Sequence, residues 1–124
     1  LHAAATGRLG ELGPLTWADG AAVVVVLAAD GYPGTPRTGG EIEGARLYDS
    51  SDSAHVIHAG TALDGDRLIA NGGRVLGVVA RAATLAQARA DAYEAVADID
   101  FPTGFCRGDI AAKAVAGLIA TPRL

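Results

Sequence analysis

The spacing of apolar residues changes along this chain from a strand-like pattern to a helix-like one. Residues 21–29 (AAVVVVLAA) form an unbroken, Val-rich run, which predicts a β-strand buried on both faces. Residues 41–47 predict a short edge strand. Three β-prone segments follow at residues 55–62, 67–70 and 74–80, and we expect them to form an antiparallel meander.

The later part of the pattern is helical. Apolar side chains recur every three or four positions in residues 84–99, and Thr84 and Gln87 have the spacing of a capping box, so we predict an amphipathic helix. Residues 109–120 predict a short final helix with Asp109 as its N-cap. The predicted fold class is α+β, with an antiparallel sheet of four to five strands and one long and one short helix packed on it.

Two turn dipeptides separate the β-prone segments. Asp64-Gly65 and Asn71-Gly72 tolerate the positive φ that tight hairpin turns require, so we predict a hairpin at each. Upstream of them, residues 49–53 (DSSDS) predict an exposed polar loop.

The second of these turns also carries candidate chemistry. Asn71, Gly72, Gly73 and Arg74 are expected to present backbone N–H groups beside a guanidinium, a combination that suits a phosphate or a carboxylate. On this interpretation, removing the Arg74 side chain weakens substrate binding more than folding. The alternative is a plain tight turn in which Arg74 pairs with a surface carboxylate.

The segment Gly31, Tyr32, Pro33 and Gly34 allows two interpretations as well. It ends the predicted first strand, and Pro33 restricts the backbone there, so it can be a simple turn. It can also contact a ligand through the ring or hydroxyl of Tyr32, because the glycines let backbone approach closely. Asp30 would place a negative charge beside an anion site, which weighs against the second interpretation.

Composition narrows the classes of function. A length of 124 residues allows one domain with a modest core. The formal net charge of −4 and the scattered arginines argue against nucleic-acid binding, and the longest apolar run is too short to cross a bilayer. The single Cys106 excludes an internal disulfide and fits a reducing compartment, so we expect a cytoplasmic protein.

The start of the chain suggests a piece of a longer protein. The sequence begins with Leu1 and contains no Met, and residues 1–6 look like the end of a helix. We therefore expect residues 1–20 to be a helical tail and connector from a preceding domain, and residues 21–124 to be the α+β domain.

The remaining candidate side chains favour structural roles. His55 and His58 fall on opposite faces of a strand, so no zinc site is expected. Asp64 and Asp66 belong to a hairpin turn, where they are expected to be solvated, and Cys106 is expected to be buried and inert. No catalytic and no metal-binding residue is assigned to this chain.

Four short motifs occur together and in one order. They are GYPG at residues 31–34, HAGT at 58–61, NGGRVLGV at 71–78 and FCRGDI at 105–110. In combination they resemble the C-terminal domain of the phosphoribosylamine–glycine ligase family, also called glycinamide ribonucleotide synthetase. The resemblance extends over about residues 1–115, nearly the whole chain.

The last motif departs from the family after its end. Arg107 and Asp109 match the family's FxRxDI pattern, which usually continues with Gly and Arg, whereas Ala111, Ala112 and Lys113 follow here. From the residues alone, Arg107 and Asp109 are expected to form a helix cap with a local salt bridge. The departure leaves the role of the final helix open.

The resemblance implies an ATP-grasp ligase that joins glycine to 5-phosphoribosylamine, giving glycinamide ribonucleotide, ADP and phosphate in purine biosynthesis. It implies that ATP and magnesium are bound by preceding N-terminal and ATP-grasp domains, against which this domain docks as one wall of the cleft. The isolated chain is then expected to be inactive. The expected substrate-binding residues are Asn71, Gly72, Gly73, Arg74, Gly31, Tyr32, Pro33 and Gly34.

Other functions stay open at this point. The chain could be the C-terminal domain of a different ATP-grasp ligase or carboxylase. It could also be a stand-alone module that binds a small phosphorylated ligand with the same turn. A third alternative is a purely structural or interaction domain, which would show no response to ligand.

Overall fold

A four-stranded antiparallel sheet with one long helix on its inner face forms the centre of the fold, so the predicted α+β class is confirmed. The computed structural model describes residues 1–48 and 51–119. The strands are β1 (Ala21–Ala29), β2 (Ala54–His58), β3 (Thr61–Asp64), β4 (Arg67–Ala70), β5 (Arg74–Ala82) and β6 (Gly104–Phe105). The helices are α1 (His2–Ala5), α2 (Leu85–Ala97) and α3 (Ala112–Val115). The main sheet has the order β2-β5-β1-β6, and β3 and β4 pair as a second, two-stranded sheet.

The helix α2 covers the inner face of the main sheet, where it packs on β1 and β5. It buries Ala88, Ala92 and Ala95, and these small side chains let the helix backbone approach the sheet closely. The helix begins as predicted, because the Thr84 hydroxyl accepts a hydrogen bond from the Gln87 backbone N–H at 3.2 Å. Only half of the capping box forms, since the Gln87 side chain donates to Asp91 at 2.6 Å instead of turning back.

The prediction that β1 is buried on both faces is wrong. Its inner side chains Val23, Val25 and Leu27 are buried, whereas Val24 and Val26 on the other face are exposed. A run of valines has the same apolar pattern whether one face or both faces are covered, so the sequence could not distinguish the two cases. Within the described residues, no second layer lies on the outer face of β1.

Of the two predicted hairpins, the first is confirmed and the second is wrong. The strands β3 and β4 pair in register with Asp64 opposite Arg67, and Gly65 takes a φ of +62° in the turn. The strands β4 and β5 do not pair, because β5 lies between β1 and β2 in the other sheet. Asn71-Gly72 therefore belongs to a crossover between two sheets and not to a hairpin.

The expected strand over residues 55–62 is also interrupted. It divides into β2 and β3 at Ala59 and Gly60, whose N–H groups both donate to the Val75 carbonyl at 3.0 Å. Two consecutive N–H groups that share one carbonyl have the pattern of a β-bulge at Ala59 and Gly60. On the other side of β5 the register shifts as well, since Leu27 pairs with Leu76 and Ala28 with Arg74, which leaves Val75 as an extra residue. The break sends β3 into the second sheet.

The edge strand expected at residues 41–47 is not a strand. Glu41 and Glu43 make single bridges to Ile69 and Asp100, and a 3₁₀ helix (Ala45–Tyr48) follows. Gly44 separates the two parts with a φ of +79°, which interrupts an extended conformation. In the polar loop predicted after this segment, Asp49 and Ser50 lie outside the described residues.

The final helix is shorter than predicted, and Asp109 does not cap it. The helix α3 spans only Ala112–Val115, and its N-cap is Ala111, which has a φ of 60° in the left-handed region. The Asp109 carboxylate pairs with Arg107 instead. Ala120, the expected end of this helix, lies outside the described residues.

The first twenty residues contain α1 and a 3₁₀ helix (Leu9–Glu11). The tail is helical as predicted, whereas the division of the chain into residues 1–20 and 21–124 stays a prediction. No helix in the described part of the chain is long and apolar enough to cross a membrane.

Candidate functional site

The two predicted ligand-binding segments meet at one end of the outer face of the main sheet. Tyr32, just after β1, packs its ring against Gly73, just before β5, and a Cβ on Gly73 would lie 2.5 Å from Tyr32 Cδ2. The backbone holds both segments at the end of β1: the Ala29 N–H donates to the Gly73 carbonyl at 2.9 Å, and the Tyr32 N–H donates to the Ala29 carbonyl at 3.1 Å. The structure thus joins two motifs that lie forty positions apart.

A groove of about 700 Å³ runs along this end of the sheet. Of the eight expected binding residues it is lined by Tyr32, Asn71, Gly72, Gly73 and Arg74, whereas Gly31, Pro33 and Gly34 do not line it. Its remaining lining includes apolar side chains that we had not assigned to a site: Val24, Val26 and Ile57.

The three residues of the crossover differ in their free backbone donors. The Asn71 N–H donates to the Gly60 carbonyl at 2.7 Å and is therefore not available to a ligand. The N–H groups of Gly72 and Gly73 donate to no acceptor among the residues that the structure describes. None of the three residues has a left-handed φ. Within the described residues, the N–H groups of the adjacent Gly72 and Gly73 are therefore free to donate to a ligand. They are free although the left-handed hairpin turn, from which the sequence predicted this site, does not form.

Gly60, the glycine of HAGT, supports this crossover. A Cβ on Gly60 would lie 2.6 Å from the Arg74 carbonyl oxygen and 3.1 Å from Gly72 Cα, so only glycine allows the two backbones to pack together. His58 Nδ1 and Thr61 Oγ1 form a hydrogen bond of 3.0 Å across the break between β2 and β3, next to Gly60. This bond confirms the structural role expected for His58. Sequence reasoning assigned Gly60 to a motif but missed its contact, since nothing local relates it to Gly72.

Arg74 provides a positive charge at the groove. Its side chain is exposed and makes no salt bridge with any residue in the described ranges. The alternative of a surface ion pair therefore finds no support there. The bulge at Val75 sets its direction, because Val75 and Leu76 are both buried and Arg74 points away from them into solvent.

The loop after β1 presents Tyr32 to the groove. Gly31 has a φ of +88°, and a Cβ there would lie 2.2 Å from the Thr35 carbonyl oxygen, so this position requires glycine. The peptide bond between Tyr32 and Pro33 is cis. Asp30, which weighed against an anion site, does not line the groove.

A second cluster lies beyond Tyr32. Arg107 donates to both carboxylate oxygens of Asp109, at 2.9 and 2.6 Å, so the predicted local salt bridge is confirmed. The pKa of Asp109 is lowered by this bond, and the pKa of Arg107 is raised by it. Arg89 of α2 connects the helix to the loop at residues 107–110. Its guanidinium donates to the Ile110 and Gly108 carbonyls at 2.9 and 2.7 Å.

The other candidates do not form a site. Cys106 is half-buried beside the core, and it has no disulfide partner. Asp64 pairs with Arg67 at the exposed turn between β3 and β4. Nowhere in residues 1–48 and 51–119 do three His, Cys, Asp or Glu side chains come together in a group that could hold a metal ion.

Comparison with known proteins relates this fold to one family. The family model described as "Phosphoribosylglycinamide synthetase, C domain" matches residues 22–113. The chain belongs to this family. The resemblance found in the four motifs is thereby confirmed over about three quarters of the chain.

Relatives of the family are much longer than this chain. A phosphoribosylamine–glycine ligase of Streptomyces coelicolor is 53% identical over 116 residues, which cover 92% of this chain and 28% of that relative. A phosphoribosylamine–glycine ligase of Mycobacterium tuberculosis is 48% identical over 121 residues, with 97% of this chain and 27% of the relative covered. The chain therefore spans little more than a quarter of the length of these relatives.

A solved structure has the same fold. The crystal structure of phosphoribosylamine–glycine ligase from Thermotoga maritima matches with a TM-score of 0.73 at 36% identity, over 88% of this chain and 26% of that chain. The α+β arrangement described above is thus that of one part of a larger enzyme structure.

Proposed function

We propose that this domain is the C-terminal part of an ATP-dependent ligase that joins glycine to 5-phosphoribosylamine, forming glycinamide ribonucleotide, ADP and phosphate in purine biosynthesis. Membership of the synthetase C-domain family and the names of the relatives support this proposal. Because the chain spans only about a quarter of those relatives, catalysis belongs to the complete polypeptide. The isolated domain is inactive and contributes no catalytic residue.

The role of the domain in this reaction is to bind an anionic group of the substrate. The observation that carries the proposal is the meeting of three groups in one groove: the N–H groups of Gly72 and Gly73 and the guanidinium of Arg74, none of which has a protein partner among the described residues. Adjacent amides and a guanidinium are the donors that a phosphate takes, and hydrogen bonds to a charged group contribute about 1.5–3 kcal/mol each. The phosphate of phosphoribosylamine fits this chemistry, and Tyr32 forms the adjoining wall.

ATP and magnesium belong to other parts of the complete polypeptide in this proposal. Residues 1–20 connect the domain to them and are part of the preceding ATP-grasp unit. The exposure of Leu9, Leu12, Leu15 and Trp17 supports this division, as does the start of the family match at residue 22. The complete enzyme works in the cytoplasm on small molecules.

The anion site can be tested on the 124-residue chain itself. In NMR titrations with ribose 5-phosphate, the amide resonances of Gly72 and Gly73 should shift, and ribose without the phosphate should leave them unchanged. Equal responses to ribose and ribose 5-phosphate, or none to either, would contradict a phosphate site at these glycines.

The ligase activity requires a longer protein. A chimera in which this chain replaces the matching segment of the Streptomyces coelicolor ligase should release ADP only with both glycine and phosphoribosylamine present. In that chimera, Arg74→Ala should raise the KM for phosphoribosylamine by about 10- to 100-fold, since one charge-assisted contact is lost. Arg81→Ala is the matched control, because Arg81 is also an exposed arginine of β5. A similar change in both variants would argue against a specific contact at Arg74.

A further inference from the structure

The crossover between the two sheets brings two reactive groups together. Asn71 is the only asparagine of the chain, and a glycine follows it directly. Its side chain is exposed, and the side-chain amide makes no hydrogen bond with any residue in the described ranges. The covalent chain holds this amide beside the backbone nitrogen of Gly72, so a reaction between the two is intramolecular. Glycine has no side chain to obstruct it.

The peptide group that joins Asn71 to Gly72 is not held in place. Neither the Asn71 carbonyl nor the Gly72 N–H has a hydrogen-bond partner in the part of the chain that the structure describes. The groups on either side of it are bonded: the Asn71 N–H donates to the Gly60 carbonyl at 2.7 Å, and the Gly73 carbonyl accepts from the Ala29 N–H at 2.9 Å. A segment without hydrogen bonds rearranges at little cost in free energy, so this peptide group can rotate within the folded domain.

We propose that Asn71 is a site of spontaneous deamidation. The Gly72 backbone nitrogen gives up its proton and attacks Cγ of Asn71, so that a new C–N bond closes a succinimide ring. The bond from Cγ to Nδ2 breaks, and the side-chain nitrogen leaves as ammonia with that proton. Water, the only other reactant, then opens the ring at one of its two carbonyls and gives aspartate or isoaspartate.

Either product changes the charge of the groove. A carboxylate replaces a neutral amide among the residues that we propose to bind an anion, and it repels a phosphate while it competes for the same N–H groups. Isoaspartate also adds a carbon to the main chain, at a place where a Cβ on Gly60 would already lie 3.1 Å from Gly72 Cα. The effect on binding rests on the proposed function of the groove, whereas the deamidation itself does not.

A bound phosphate should protect Asn71. When the Gly72 N–H donates to a phosphate oxygen, its nitrogen keeps the proton that it must lose before it can attack, and the peptide group is fixed. The same nitrogen is therefore either a donor to the ligand or a nucleophile towards Asn71. The unliganded protein is the form that reacts.

The modification is tested by mass spectrometry of the 124-residue chain during incubation at mildly alkaline pH. Circular dichroism establishes that the chain is folded, and the same chain in urea gives the reference rate. Asn71→Gln is the matched control, because its longer side chain must close a larger ring and reacts much more slowly. The Asp-Gly pairs at residues 19–20, 30–31 and 64–65 can isomerise through the same kind of ring, but without a change of mass.

The expected result is deamidation of the folded chain at a rate within about tenfold of the rate in urea, because little free energy is needed to move an unbonded peptide group. Peptide mapping should place the change at Asn71, and Asn71→Gln should stay intact. A folded chain that reacts more slowly than this would overturn the proposal, since the native crossover would then prevent the reaction. If the isolated chain is not folded, the same comparison is made on the Streptomyces coelicolor chimera described above.

The link to the anion site is tested separately. Asn71→Asp should bind ribose 5-phosphate at least about tenfold more weakly than the parent chain in NMR titrations. Saturating ribose 5-phosphate should slow the deamidation of the parent chain, whereas ribose should not, and neither compound should slow it in Arg74→Ala. Deamidation that ribose 5-phosphate does not affect would support the modification and contradict the phosphate site. Binding of ribose 5-phosphate by a chain that does not deamidate would support the phosphate site and contradict the modification.

Discussion

The ring of Tyr32 occupies the space where Gly73 has no side chain, and a Cβ on Gly73 would lie 2.5 Å from Tyr32 Cδ2. This contact joins the loop after β1 to the crossover before β5. The same glycine keeps a free N–H at the groove and accepts a hydrogen bond from Ala29 through its carbonyl. Gly73 thus sets the position of the Tyr32 ring, and its N–H group is one of the two donors of the proposed anion site.

Gly73→Ala should therefore damage binding more than folding. The backbone of Gly73 is not left-handed, so alanine can adopt the same backbone conformation. Its Cβ would clash with Tyr32 Cδ2, however, and the Tyr32 ring must move away from the groove. We expect ribose 5-phosphate to bind at least tenfold more weakly in NMR titrations, with a small loss of thermal stability. Gly77→Ala is the control in the same groove, because a Cβ there meets Val24 Cγ2 at an ordinary 3.5 Å. Unchanged binding by Gly73→Ala would mean that Tyr32 is not part of the site.

Local patterns were sufficient for some elements of this fold. The helix α2 followed from apolar spacing and from the cap at Thr84, because both are interactions between residues four or fewer positions apart. The first hairpin followed from Gly65 for the same reason. The family was recognised from four short motifs, and three of them contain a glycine whose Cβ would clash with a neighbouring residue: Gly31, Gly60 and Gly73.

The errors share a cause in long-range packing. Asn71-Gly72 has the composition of a hairpin turn, but the bulge at Val75 and the contact with Gly60 direct the chain to another sheet. Val24 and Val26 resemble core residues, and their exposure depends on which layers are present. Five of the eight expected binding residues line one groove, and their role in binding stays a prediction. The sequence could not show that Tyr32 and Gly73 lie side by side, because this contact depends on tertiary packing.

The hydroxyl of Tyr93 is expected to hold the Arg107–Ile110 loop on α2. It donates to the Arg107 carbonyl at 2.5 Å and accepts from the Ile110 N–H at 3.1 Å, while the ring lies under the Arg89 guanidinium at 4.7 Å. Tyr93→Phe removes both hydrogen bonds and should lower the free energy of unfolding by about 1–2 kcal/mol. Urea unfolding of the 124-residue chain measures this loss. Retention of full stability would show that the loop does not depend on the hydroxyl.

Tyr48 should make stability depend on alkaline pH. Its hydroxyl donates to Asp98 Oδ2 at 2.5 Å, and this hydrogen bond, with smaller effects of burial and nearby carboxylates, raises the pKa of Tyr48 from 10.0 to about 12. The folded state therefore holds this proton more tightly than the unfolded state. The contribution of the Tyr48–Asp98 hydrogen bond to the free energy of unfolding is fully present below pH 10 and is lost as the pH rises to about 12. Denaturant unfolding across that range should show a steeper decline for the parent chain than for Tyr48→Phe. Identical slopes would exclude a contribution from this bond.

Ala111 occupies a conformation that suits glycine. Its φ of 60° lies in the left-handed region, where a Cβ costs about 1–2 kcal/mol, and the resemblance to the ligase family implies glycine at this position. Ala111→Gly should raise the free energy of unfolding by up to about 1 kcal/mol after the greater chain entropy of glycine is subtracted. Ala112→Gly, one residue later in α3, should lower it by about 0.5–1 kcal/mol, because glycine is a poor helix former. Urea unfolding of the two variants should thus give changes of opposite sign, and a loss of stability in both would mean that the left-handed turn at Ala111 does not persist in solution.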